Sequence, residues 1–292
     1  MFKGSIVALI TPFRDGRIDE EAFRALIEWQ IEEGTDGLVP VGTTGESPAL
    51  SHEEHERVID LCIEVAAGRV PVLAGTGSNC TDEAIALTAH AKAAGAAGAL
   101  LVAPYYNKPT QRGLYAHYRA IAEAVDIPIV IYNIPGRSVV DISVDTLAQL
   151  ARDCPNIIGV KDSTADLNRP LATRAAIGPE FCQLSGEDGT AFAFLASGGH
   201  GCISVTANVA PRLCAGMHDA WQVGNVSKAM EINHRLYPLN NALFRETSPA
   251  PVKYAASRLS RSTVELRLPL VEITDETKQA VDAAMREAGL LG

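Results

Sequence analysis

Lys161 directly follows the apolar run Ile157-Ile158-Gly159-Val160 and is one of seven lysines in the chain. An ammonium at the end of a buried strand loses part of its water, which favours the neutral amine. A neutral amine can add to a ketone and form a Schiff base. The plainer alternative is an ion pair between Lys161 and its neighbour Asp162. Tyr132 ends another apolar run, Pro128-Ile129-Val130-Ile131. Its phenol could pass a proton to or from a carbinolamine, or simply pack with its hydroxyl on a backbone group. Thr43 and Thr44 sit in a Gly-Thr-Thr-Gly turn whose amides could hold a carboxylate and whose hydroxyls could relay protons; a plain strand exit reads the same way. Arg137, after Ile134-Pro135-Gly136, offers a guanidinium fork to a carboxylate, or is a solvated loop arginine.

Other motifs fail on spacing. His52 and His55 are three residues apart, whereas a zinc helix of the HExxH type needs four. Gly75-Thr76-Gly77 opens like a dinucleotide loop but lacks the third glycine. Gly45-Glu46-Ser47-Pro48-Ala49 lacks the last glycine of a nucleophile elbow. There is no Walker loop, and no His/Cys cluster has metal-ligand spacing. The expectation is that the protein uses neither metal nor nucleotide, and no other cofactor.

These residues need elements to position them. Eight short apolar runs recur along the chain: SIVALIT near residue 5, GLVPVG near 37, VPVLAG near 70, ALLVAP near 99, PIVIYN near 128, IIGVK near 157, FCQLSG near 181 and CISVTA near 202. They lack polar alternation, as strands buried on both faces of a parallel sheet do. Amphipathic stretches lie between them, at 20–33, at 51–67 with a capping-box spacing of Ser51 and Glu54, and at 81–94 with acids on its positive dipole end. Eight strand-helix units read as an α/β protein, a (β/α)8 TIM barrel over residues 1–224. A helical C-terminal extension follows over 225–292, with helices at 230–243, 251–259 and 276–288. A doubly wound open sheet is the alternative. In a barrel the chemistry sits at the C-terminal ends of the strands, where Thr43, Tyr105-Tyr106, Tyr132, Lys161 and Ser185-Gly186-Glu187-Asp188 all fall.

Composition narrows the function. The 292 residues carry 25 basic and 35 acidic side chains, a net charge of −10, with 47% hydrophobic residues. A nucleic-acid partner would call for a basic face, and a membrane anchor for a polybasic segment or a long apolar run. Neither partner is expected. The six cysteines form no CxxC pair, which suits a reduced, cytoplasmic protein.

The segments VGTTGES, APYYNKPTQRGLYAHY, IYNIPGR, IIGVKDST and GGHGCISVTANV resemble the pyruvate-dependent Schiff-base lyase and synthase family that includes N-acetylneuraminate lyase, over essentially the whole chain. Within it the likeness is to members that condense pyruvate with L-aspartate 4-semialdehyde on the way to diaminopimelate and lysine. The resemblance implies a homotetramer built as a dimer of tight dimers. It implies that Lys161 is the Schiff-base lysine and that Thr43, Tyr132 and Tyr106 relay protons, Tyr106 from a neighbouring subunit. Thr44 with Thr43 would hold the pyruvate carboxylate and Arg137 the semialdehyde's carboxylate. Gly186 and Ile203 would line the pocket.

The resemblance also implies feedback inhibition by L-lysine at Ser47, Pro48, His52, His55, Asn79, Glu83 and Tyr105. Pro48 departs from the family's usual residue there; an ordinary polar interface is the alternative. Two rival functions remain. One is a sugar-acid lyase of the same superfamily, against which the Thr43-Thr44 pair and Arg137 speak. The other is a non-catalytic keto-acid-binding barrel, which would have no use for a proton relay.

Overall fold

The computed structural model describes residues 2–292. All eight apolar runs form strands: β1 (Gly4–Ala8), β2 (Gly37–Val39), β3 (Leu73–Gly75), β4 (Gly98–Val102), β5 (Ile129–Asn133), β6 (Ile157–Asp162), β7 (Cys182–Ser185) and β8 (Gly201–Ser204). Nearly every residue in them is buried whichever way its side chain points, which is why the runs show no polar alternation. Helices begin at Glu20, His52 and Thr81, within a residue of the expected starts, though no side chain caps the third. Helix His52–Ala66 opens on the expected box: Ser51 Oγ accepts from the Glu54 N–H at 3.2 Å, and Glu54 accepts from the Ser51 N–H at 3.0 Å. Such a cap contributes about 1 kcal/mol. The sequence reading has no counterpart for a hairpin of Phe13–Arg14 and Arg17–Ile18. Asp15 and Gly16 turn it at φ +53° and +78°, the left-handed pair that such tight turns require.

The chain forms two compact units. The first holds residues 2–3 and Val72–Ile203. In it β3, β4, β5, β6, β7 and β8 pair in that order, all parallel. Helices Gln111–Ala124 and Val144–Asp153 bury Leu114, Tyr118, Ile121, Leu147 and Leu150 against Leu101, Ile129 and Ile131 of the strands. Each fully buried aliphatic side chain there is worth roughly 1.5–3 kcal/mol of transfer from water.

The second unit holds Gly4–Pro71 and Ser204–Gly292. β1 and β2 pair in parallel, Ile6 opposite Gly37. Asn208 binds the end of β1 through its side chain, accepting from the Ile10 N–H at 3.0 Å and donating to the Ala8 carbonyl at 2.7 Å. The three C-terminal helices run over Val226–Ala242, Ala250–Arg258 and Asp275–Glu287, within a few residues of the expected limits. Val226–Ala242 packs on helix Pro211–Gln222 and on Asp275–Glu287, burying Leu236, Leu239, Val281 and Met285. Among the described residues no helix is long and apolar enough to cross a membrane.

Candidate active site

In the first unit, β5 and β6 pair in register with Tyr132 opposite Lys161 and Asn133 opposite Asp162. Side chains alternate along a strand, so the first pair points to one face and the second pair to the other. Lys161 and Tyr132 are both buried, and the lysine Nζ lies 4.0 Å from the centroid of the tyrosine ring. The ring that carries the phenol is therefore in contact with the amine. Asp162 is committed elsewhere: it accepts from Arg169 Nε at 2.8 Å and from the Thr164 N–H at 2.9 Å. Arg169 reaches Asp141 as well, at 3.3 Å. The ion pair of Lys161 with Asp162 that the sequence left open is thus not formed.

Lys161 stands opposite Leu184 of β7, and Leu184 opposite Gly201 of β8. Two residues further on lie Gly186, just past the end of β7, and Ile203 in β8, on the same face as the lysine. The closeness of Gly186 is steric. A Cβ at that position would lie 2.8 Å from Lys161 Cε and 1.9 Å from Ser163 Oγ. Ile203 is fully buried. Glu187, to which the sequence reading gave no role, adds a carboxyl group. Burial and the neighbouring Asp188 hold it above the usual carboxylate range, while Lys161 and Arg137 pull in the opposite direction. The signal available in the sequence was its place in the polar Ser185-Gly186-Glu187-Asp188 exit. Arg137 lies exposed in a single helical turn, Pro135–Ser138.

Tyr106 belongs to the same unit but is 91% exposed, at φ +69°. A left-handed tyrosine costs about 1–2 kcal/mol. A large aromatic held there in solvent contributes nothing to its own unit's core.

In the second unit, Thr43–Gly45 form a short 3-10 turn after β2, with Thr44 buried and Thr43 half-buried. The turn's own bonds run from Gly45 and Ser47 N–H to the Gly42 carbonyl, and from Glu46 N–H to that of Thr43. They do not use the Thr43 and Thr44 amides. Ser47 and Pro48 continue in a second 3-10 turn, and His52 and His55 lie in the first turn of helix His52–Ala66, His52 exposed and His55 buried.

The remaining three residues of the expected inhibitor site meet in the first unit. Asn79 Nδ2 donates to the Tyr105 carbonyl at 3.2 Å, and Glu83 accepts from Ser78 Oγ. Glu83 is in the first turn of helix Thr81–Ala94, where the helix dipole favours its charge. Burial first, then the Glu83 charge, pushes the Tyr105 phenol up. Ser78, which completes the cluster, carried no signal in the sequence. Among the described residues no three His, Cys, Asp or Glu side chains are grouped to hold a metal ion.

Comparison with known proteins shows the family. The model of the dihydrodipicolinate synthetase family matches residues 1–288. A 4-hydroxy-tetrahydrodipicolinate synthase of Rhodospirillum centenum is 68% identical over 291 residues, covering 100% of both chains. Among solved structures, the chloride-inhibited dihydrodipicolinate synthase of Acinetobacter baumannii complexed with pyruvate superposes with a TM-score of 0.97 at 45% identity, over 100% of each chain. The enzyme of Cyanidioschyzon merolae with lysine bound gives 0.96 at 38% identity, over 99% of each. These likenesses show the expected fold, a (β/α)8 barrel with a helical C-terminal part.

Proposed function

The chain belongs to the dihydrodipicolinate synthetase family, and we propose that it condenses pyruvate with L-aspartate 4-semialdehyde through a Schiff base on Lys161, giving 4-hydroxy-tetrahydrodipicolinate. The observation that carries this reading is the contact of the Lys161 amine with the Tyr132 ring, while Asp162 is bound by Arg169 on the opposite face.

The Lys161 amine adds to the ketone carbon of pyruvate, and water leaves to give an iminium ion. The iminium draws electrons from the methyl group; loss of a methyl proton yields an enamine. The enamine carbon attacks the aldehyde, whose oxygen takes a proton. The substrate's own amine then attacks the iminium carbon, closes the ring and expels Lys161. Every step is a proton transfer, an addition or an elimination helped by one, so an amine and a hydroxyl relay suffice. Tyr132, Thr43 and Tyr106 form that relay; the Thr43 and Thr44 amides receive the pyruvate carboxylate, and Arg137 the carboxylate of the semialdehyde. Gly186 leaves room beside Lys161, and Ile203 supplies an apolar wall on the same face.

We infer that the enzyme works in the cytoplasm as a homotetramer, a dimer of dimers in which Tyr106 enters the neighbour's site. Its strained, exposed ring supports this. L-Lysine is the expected inhibitor, at the residues that match the family's regulatory site; the lysine-bound structure of a relative supports it.

The test is borohydride reduction in the presence of pyruvate followed by peptide mapping. A pyruvate-derived mass on Lys161, and none in Lys161→Ala, is expected; a label on Lys108 or Lys253 overturns the assignment. Comparing L-aspartate 4-semialdehyde with a sugar aldehyde as acceptor then separates this reaction from that of a sugar-acid lyase.

A further inference from the structure

Glu46 joins the Thr43–Gly45 turn to the Ser47–Ala49 turn and sits between them at φ +56°. Few non-glycine residues adopt this left-handed conformation, and it must be held by surroundings. The surroundings are unusual. The Glu46 carboxylate is completely buried and forms an ion pair with Lys253, whose side chain is also completely buried. The second carboxylate oxygen accepts from the Arg267 N–H at 3.0 Å. Lys253 Nζ donates to the Glu265 carbonyl at 2.8 Å and lies 4.0 Å from the centre of the Phe13 ring. Burial pushes the Lys253 ammonium down to about 8, and Glu46 acts against that shift.

Thr11 and Arg267 grip the turns at two more points. Thr11 Oγ1 donates to the Gly45 carbonyl at 2.7 Å, and Arg267 Nη1 donates to the Ala49 carbonyl at 2.9 Å. Arg267 is itself held by Glu54 of helix His52–Ala66. A buried ion pair is a poor way to gain stability, because desolvation of both charges offsets their attraction. What it does supply is a fixed geometry. Here the fixed point is the residue next to the turn that presents Thr43 and Thr44.

We propose that Glu46 and Lys253 are positioning residues: their buried ion pair, with the Arg267 N–H, sets the backbone of the Thr43–Thr44–Gly45 turn and thereby its fit to the pyruvate carboxylate. This rests on the assignment of Thr43 and Thr44 to pyruvate made above. Neither side chain touches substrate; both act through the turn.

The experiment compares wild type, Glu46→Gln, the double variant Glu46→Gln/Lys253→Met and Thr43→Val, measuring the melting temperature, kcat and the KM for pyruvate. Glu46→Gln leaves a buried ammonium without its counter-charge and is expected to lose stability. The double variant removes both charges, and a melting temperature close to wild type is expected. Its turn keeps the Thr11 and Arg267 contacts but loses the ion pair that fixes Glu46, so its KM for pyruvate is expected to rise about tenfold or more, with a fall in kcat of up to about a hundredfold, the usual cost of misplacing a reacting group by about 1 Å. Should Glu46→Gln fail to fold, the double variant carries the comparison. A stable double variant with wild-type KM and kcat overturns the positioning role and leaves the pair purely structural. Thr43→Val separates the two claims. It keeps the amides of the turn and removes only the relay hydroxyl: wild-type constants in Thr43→Val end the turn's part in the proton relay, whereas damage in it without damage in the double variant ends only the positioning role.

Discussion

Asp162 gives its carboxylate to Arg169, 2.8 Å away, and none of it to Lys161, the residue beside it in β6. Strand alternation sends the two neighbours to opposite faces, and Arg169 captures the acid on its own side. The pair is nearly dry, with side chains 7% and 13% exposed. Breaking a buried pair by removing one partner costs roughly 3–5 kcal/mol. Arg169→Met is therefore expected to lower unfolding free energy by about 3 kcal/mol in urea titration. Pyruvate trapping on Lys161 should survive in the protein that remains folded. Loss of trapping with no loss of stability would show that Asp162 and Arg169 act on the lysine after all.

Gly186 is a second point where packing constrains chemistry. Its missing Cβ would fall 2.8 Å from Lys161 Cε and 1.9 Å from Ser163 Oγ. Gly186→Ala should drive the lysine side chain aside and lower the rate of borohydride-trappable imine formation by about tenfold or more, since small displacements of a reacting group are costly. Adding Ser163→Ala relieves only one of the two clashes, so the double variant should recover part of the rate. Full activity in Gly186→Ala would mean that Lys161 has room to move, and that the glycine is not required.

Two histidines tie stability to pH. His117 and His218 are buried, and burial pushes both imidazoles down to about 4. In the unfolded chain each takes up its proton near pH 6.5. Between these values the unfolded state binds more protons, so stability falls as pH falls. Their contribution is complete above about pH 6.5 and is lost as the pH drops through about 4. Urea midpoints should decline from pH 6.5 to 5, above the range where carboxylates protonate. In the unfolding free energies from the same titrations, His218→Leu should reduce the slope by up to about 1.4 kcal/mol per pH unit. An unchanged slope would remove His218 from the account.

How much of this was legible follows from the range of each interaction. The eight strands could be read because parallel strands covered on both faces are written as apolar runs. The capping box at Ser51 and Glu54 is local and was equally plain. The hairpin at Asp15-Gly16 was written in the sequence and passed over: two-residue strands leave too short an alternation to notice. Lys161 and Tyr132 stood out by type and place, but the fate of Asp162 needed Arg169, seven residues on and on another element. Glu46 lies in a segment that fails as a nucleophile elbow and carries no other local signal. Its partners are Lys253 and an Arg267 amide 221 residues away, and no local pattern encodes a contact of that span.

The last prediction concerns L-lysine. Ser78, Asn79, Glu83 and Tyr105 form one hydrogen-bonded cluster at the start of helix Thr81–Ala94. Glu83 offers a negative charge to an ammonium, and Asn79 an amide to a carboxylate. Glu83 is already oriented by Ser78, so little order need be lost when a ligand binds. Saturating L-lysine should depress the condensation rate. Glu83→Ala removes the charge and should raise the half-inhibiting concentration at least tenfold, the equivalent of about 1.4 kcal/mol. Ser78→Ala frees the carboxylate to move and should give a smaller increase in the same direction. His55→Lys would add a cation at another position of the expected site and should weaken lysine by repulsion, leaving pyruvate trapping on Lys161 intact. A wild-type rate that does not change with lysine would reduce the cluster to an ordinary helix start, with Glu83 held by Ser78 for the sake of the fold alone.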